Sequence, residues 1–250
     1  MTTPAAHDYL APAAPSLAAD EWVVDNPRLR RFIADVRSVL ARGDDPPAAL
    51  QALRPVLGEL LAEDGWLPDE YAGPAEASKG MGGGIGQWLL FRSKEADLSL
   101  FTLVVPGWRS TPVHDHLAWG LVGLYRGEQA ETVFRRGDDG RREGVAELEV
   151  IERRLLQRGG IYDLLPPDGD IHSVVTVGEE PSVSVHLLAN DAGCIWRHAF
   201  DLPGRSVRAF RSGYTNRDCP DEMERETERA SESVSRERRE VSRHEEGPEA

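Results

Sequence analysis

Residues 111–120, TPVHDHLAWG, place His114 and His116 two positions apart behind a proline, in a chain with seven histidines in all. On a strand, residues i and i+2 point to the same face, so both imidazoles converge on one point and Asp115 points away. Whether that point holds a metal depends on the surrounding fold. From about residue 85 onward short apolar runs follow one another: DLSLFTLVV, WGLVGLYRG, AETVF, AELEVIERRLL, GIYDLL, IHSVVTV, SVSVHLL and CIWRHAF. Pro, Gly and Asp clusters separate them, the signature of a sandwich or closed barrel. Upstream the period changes. PRLRRFIADVRSVLARG carries Leu29, Phe32, Ile33, Val36, Val39 and Leu40 at helical spacing and stops at Gly43. PPAALQALRPVLGELLAE repeats the pattern, with Pro55 expected to break or kink it.

The ends differ from this middle. Residues 1–20 are rich in Ala and Pro without periodicity, and residues 217–250 are nearly devoid of large apolar side chains. Neither stretch offers enough apolar surface to offset the entropy of ordering it, so both are expected to be disordered. The division is thus 1–20, a helical region over 21–80, a barrel over 81–216, and a charged tail over 217–250. A formal net charge of −14 argues against binding to nucleic acid or an anionic membrane. No apolar run approaches the roughly 20 residues that span a bilayer. The N-terminus has neither a basic start nor an apolar core, so a secretory signal is not expected. Cys194 and Cys219 make no disulfide framework, and two unpaired thiols fit a reducing cytoplasm. The glycine cluster GMGGGIG at 80–86 lacks the spacing and preceding strand of a phosphate loop, and reads as a flexible lead-in.

A second histidine motif bears on the metal. GGIYDLLPPDGDIHSVV sets His172 behind a strand and a Pro-x-Gly turn at Pro167 and Gly169. It resembles the second half of the cupin signature, and His114, His116 and Gly127 outline the first half. The opening glycine of each half falls one residue early, at Gly107 and Gly160. The resemblance implies an all-β core, a double-stranded β-helix or jelly-roll barrel with N-terminal helices, in which His114, His116 and His172 meet at one metal. The usual cupin has a glutamate four residues after the second histidine, where this chain has Gly120. The implied site is three neutral imidazoles, a donor set that suits Zn, Cu, Fe and Ni. Such an ion keeps its charge uncompensated and favours an incoming thiolate.

TPVHDHLAWG, GDIHSV, SVSVHL, WRH and FRSGYTN together resemble the thiol dioxygenases of the cysteine dioxygenase superfamily, over roughly residues 85–216. The likeness is closest to the bacterial 3-mercaptopropionate type. It implies an Fe(II) enzyme that oxidises a small mercaptocarboxylic acid, 3-mercaptopropionate-like or cysteine, to a sulfinate with O2. Arg197 matches the arginine that binds the substrate carboxylate, and Gln87 stands where the mercaptopropionate type has glutamine. Ser184 and His186 match two members of a Ser-His-Tyr relay, but its tyrosine position is Leu188; Tyr125 or Tyr162 would have to reach the site from another strand. On strand alternation His198 faces away from Arg197 and is structural. Two other classes stay open: a zinc or nickel cupin acting non-oxidatively on a small acid, and a non-catalytic small-acid-binding cupin.

Overall fold

The computed structural model describes residues 14–76 and 81–220. Two helices come first, α1 (Pro27–Leu40) and α2 (Pro46–Ala62), after a two-residue strand β1 (Glu21–Trp22). The strands that follow are β2 (Gly86–Arg92), β3 (Ser99–Val105), β4 (Val113–His114), β5 (Gly120–Arg126), β6 (Gln129–Arg136) and β7 (Leu148–Leu156). β8 (Ile161–Leu164), β9 (Ile171–Thr176), β10 (Ser182–Leu188), β11 (Arg197–Asp201) and β12 (Ser206–Phe210) complete the set. They form two antiparallel sheets, ordered β1-β2-β3-β10-β5-β8 and β12-β11-β4-β9-β6-β7. This is the double-stranded β-helix expected from the sequence.

Both helices begin as their sequences dictate. Asn26 and Asp45 accept hydrogen bonds from the backbone N–H groups of Leu29 and Ala48, and prolines fill the first turns. The buried stripe of α1 is Leu29, Phe32, Ile33, Val36 and Val39. With Leu53, Leu57, Leu60 and Leu61 of α2 it covers the outer face of the first sheet, packing on Leu90, Val104, Leu121, Val183, Val185 and Leu187. At Gly123 a Cβ would lie 2.4 Å from Leu61 Cδ1, so the bare backbone of β5 lets α2 approach. Pro55 does not break α2. It is exposed, while the leucines on either side are buried against the sheet and carry the helix through the missing hydrogen bond.

The opposite face of the first sheet turns into the barrel. Leu103 and Val105 meet Val174, Ala199 and Phe210 of the second sheet, and Met81 and Ile85 of the glycine-rich lead-in pack with them. Alternation along β10 divides its side chains accordingly: Val183, Val185 and Leu187 join the helices, and Ser184 and His186 face inward. Gln87, Leu103 and Ser184 lie in one cross-strand row and so share that inward face.

Three expectations need correction. Residues 14–20 are packed rather than free: Ala14 is buried with Ala96, Ala118 and Ile195, and Asp20 accepts hydrogen bonds from Arg37 and the Lys94 backbone. Residues 1–13 and 221–250, where most of the disorder expected at the ends falls, lie outside the described residues, as do 77–80. Cys194 precedes β11 rather than lying in a strand, and both cysteines are disulfide-bonded, so the argument from free thiols to a reducing compartment falls. Among the described residues no helix is long and apolar enough to cross a membrane.

Candidate metal centre

His114 and His172 are direct cross-strand partners of β4 and β9. His116 lies just beyond β4, which ends after two residues because the chain turns at Leu117, where φ is +48°. The Asp170 carboxylate holds that turn, accepting the backbone N–H groups of His116 (3.3 Å) and Leu117 (3.0 Å). The strand carrying both histidines in the sequence reading is therefore half a strand and a carboxylate-bound turn. The convergence survives: the three ring centroids are 4.9 Å apart in every pair, and all three rings are buried. Their ligand atoms fall within 4.8 Å of one another, a cluster that could hold a metal ion.

The outward nitrogens decide which atoms face that point. His114 Nδ1 meets Pro112 O at 2.9 Å, His116 Nδ1 meets Asp170 O at 3.1 Å, and His172 Nδ1 meets a Glu131 carboxylate oxygen at 2.6 Å. Each contact places the proton on Nδ1 and leaves the Nε2 lone pair free to bind. Burial holds His114 and His116 well below the usual histidine pKa, so they are neutral, as ligation requires. The residues present fit a divalent ion held by three imidazoles.

No carboxylate joins them from position 120. A Cβ at Gly120 would lie 2.2 Å from Leu187 O and 2.5 Å from Leu188 Cδ2. The backbone of β5 is pressed onto β10 there, and Gly120 and Leu188 are register partners. Gly120→Ala is expected to cost about 1–3 kcal/mol through this overlap, read as a lower urea midpoint; an unchanged midpoint would show that the two strands separate easily.

Of the other site residues of the sequence reading, His186 and Arg197 lie near the cluster. His186 stacks on Phe101 at 4.7 Å, and its ring lies 6.3 Å from His116. Its Nε2 is 3.0 Å from Ser184 Oγ, while its Nδ1 is buried without a hydrogen-bond partner. Arg197 is 3% exposed, with its guanidinium 4.8 Å above the Phe210 ring, and that ring is 6.2 Å from His114. Nη1 donates to Asp115 O (2.7 Å) and Nη2 to Ser212 Oγ (2.8 Å), but Nε has no partner. Burial lowers the Arg197 pKa to about 10, which leaves it a cation at neutral pH. Gln87 is buried with its Nε2 likewise unpartnered.

Asp115 points away from the triad, accepting both the backbone N–H and Nδ1 of the half-exposed His198, which raises the His198 pKa. Tyr125 is buried on the helix side of the sheet, with its hydroxyl unpartnered. The Tyr162 ring does approach the triad, 6.0 Å from His172. Tyr214 of FRSGYTN stands edge-on to Phe101, but its hydroxyl donates to Asp191.

Glu131 escaped the sequence reading. In QAETVF it alternates in phase with Val133, and an acidic residue in phase with the buried face was the available signal.

No protein-family model matches the chain. Among solved structures, a double-stranded β-helix protein from Klebsiella pneumoniae is 18% identical, over 50% of this chain and 89% of that one, with a TM-score of 0.35. An RmlC-like cupin from Methanocaldococcus jannaschii is 13% identical over 43% and 82%, with a TM-score of 0.32. The Cnp3 cupin domain of Schizosaccharomyces pombe is 16% identical over 44% and 68%, also at 0.32. The first is described as a double-stranded β-helix protein and the other two as cupins. This chain's own two sheets and their strand order are consistent with the same fold.

Proposed function

We propose that the protein is a non-haem Fe(II) thiol dioxygenase that oxidises a small mercaptocarboxylic acid to its sulfinate. The observation that carries this reading is a buried guanidinium with an unpartnered Nε beside a cluster of three imidazoles. A buried cation left partly unpaired costs several kcal/mol, and a carboxylate delivered by a ligand removes that cost. The sequence resemblance to the mercaptopropionate type supports the same assignment.

Iron bound at the triad would supply a cationic site for a thiolate and redox chemistry for O2. The side chains do the rest. His114, His116 and His172 would hold the ion through Nε2. Arg197 Nε and Gln87 Nε2 are donors, and both match carboxylate oxygens. His186, fixed by Ser184 and the Phe101 ring, keeps an unpartnered Nδ1 inside the barrel, where it would exchange a proton with the reacting groups. Burial keeps this imidazole neutral, so it both accepts and donates. The overall change is RSH + O2 → RSO2H: sulfur gives four electrons and dioxygen takes them.

Leu188 favours a second reading. With no tyrosine hydroxyl at that position, a zinc or nickel cupin acting non-oxidatively on a small acid uses the same triad and the same anchor. Oxygen uptake by anaerobically purified, iron-loaded protein across a thiol panel separates the two. One O2 consumed per sulfinate formed supports the dioxygenase. Absence of uptake with every thiol, in protein that retains iron, overturns it.

A further inference from the structure

Position 120 cannot carry a ligand carboxylate, yet an acid stands one hydrogen bond outside the triad. Glu131 is fully buried, and its two oxygens are divided between two partners. Oε1 takes His172 Nδ1–H at 2.6 Å, and Oε2 takes Arg154 Nε at 2.5 Å. The backbone builds this line. Glu131 and Arg154 are register partners of β6 and β7, and Glu131 faces Val174 on β9, two residues from His172. Arg154, partly exposed, lies 4.7 Å over the Tyr162 ring, whose own neighbour is His172. His114 and His116 are held instead by neutral backbone carbonyls. The triad is therefore electronically unequal.

We propose that Glu131 is the positioning residue of the metal centre, orienting His172 through Nδ1 and placing outside the ligand set the carboxylate acceptor that position 120 cannot carry. A carboxylate at this distance fixes the imidazole tautomer and raises the basicity of Nε2. It does so without occupying a coordination position, which stays open for substrate. Arg154 holds the carboxylate so that one oxygen points at His172. The inference rests on the reading of the triad as a metal site and is independent of the thiol chemistry.

The test uses the metal alone. Metal-free wild type, Glu131→Gln and Arg154→Ala are titrated anaerobically with Co(II) against a competing chelator, and the Co(II) absorption spectrum is recorded for each. Glu131→Gln is expected to weaken binding about 10- to 100-fold and to shift the Co(II) bands, while the metal-free variant keeps its circular dichroism. Arg154→Ala, which leaves Glu131 and His172 in place but frees the second carboxylate oxygen from its cation, is expected to change affinity and shift the bands by less than Glu131→Gln does. A Glu131→Gln protein with wild-type affinity and spectrum would overturn the inference. If that variant fails to fold, an unchanged affinity and spectrum in Arg154→Ala overturns it equally. A wild type that binds no Co(II) removes the metal site and this inference together. A wild type that binds Co(II) but, iron-loaded, oxidises no thiol removes only the dioxygenase reading.

Discussion

His172→Ala is expected to lose at least about 100-fold in affinity for Fe(II) or Co(II), more than the 10- to 100-fold typical of losing a residue that only orients a ligand. Three equally spaced rings leave no spare donor, and position 120 has no room for a side chain to take the place of one. The variant also leaves the Glu131 oxygen at His172 Nδ1 buried without that donor, a penalty of about 1–3 kcal/mol. Its melting temperature should therefore fall while its β circular dichroism persists. His186→Ala is the matched control. It removes another buried histidine from the same interior, 6.3 Å from His116, yet should keep its metal. Metal analysis of both proteins after anaerobic loading gives the answer. Full occupancy in His172→Ala, or equal loss in both variants, would show that the cluster is not the ligand set.

The parts of this site legible in the sequence are those written in local periods. The α1 stripe, the inward phase of Ser184 and His186, and the two histidine motifs each occupy one short segment, where spacing reports geometry. Glu131 did not announce itself, because its significance comes from pairing with β9 and β7, more than twenty residues away in sequence. Pro55 misled for the complementary reason. Helix propensity is local, but the burial of Leu53, Leu57, Leu60 and Leu61 against the sheet outweighs it. The same holds for β12, where SVRAF has too little alternation to read alone and becomes a strand by pairing with β11. The N-terminal segment looked unable to order itself for want of large apolar residues. Ala14 needs none: it fits against Ala96, Ala118 and Ile195, where small side chains meet. Composition reports how much surface a segment can bury, not whether a matching surface awaits it.

Arg197→Ala is expected to reduce kcat/KM by roughly 30-fold to several thousand-fold, the equivalent of about 2–5 kcal/mol for truncating one side of a buried charge pair. Gln87→Ala removes a neutral donor and should cost about tenfold or less, near 1 kcal/mol. Arg197 also donates to Asp115 O, between the two histidines of β4 and its turn, so metal content must be measured beside the kinetics. A loss of activity with metal retained identifies a substrate anchor; a loss that tracks metal identifies a strut. On the proposed function, the same residues would set the substrate preference. Among the described residues the buried carboxylates are already engaged: Asp115 with His198, Glu131 with His172 and Arg154, and Asp191 with Arg92 and Tyr214. Asp170 accepts two backbone N–H groups and is pushed up to about 7 by burial. An ammonium group brought in with cysteine would be desolvated without a free anion to receive it. 3-Mercaptopropionate carries the same thiol and carboxylate and no ammonium. It should be preferred by at least about tenfold in kcat/KM, or 1.4 kcal/mol in transition-state binding. Oxygen uptake with both thiols, on wild type and both variants, decides the matter: a preference for cysteine, or an Arg197→Ala enzyme with normal kinetics, would mean that the carboxylate is anchored elsewhere.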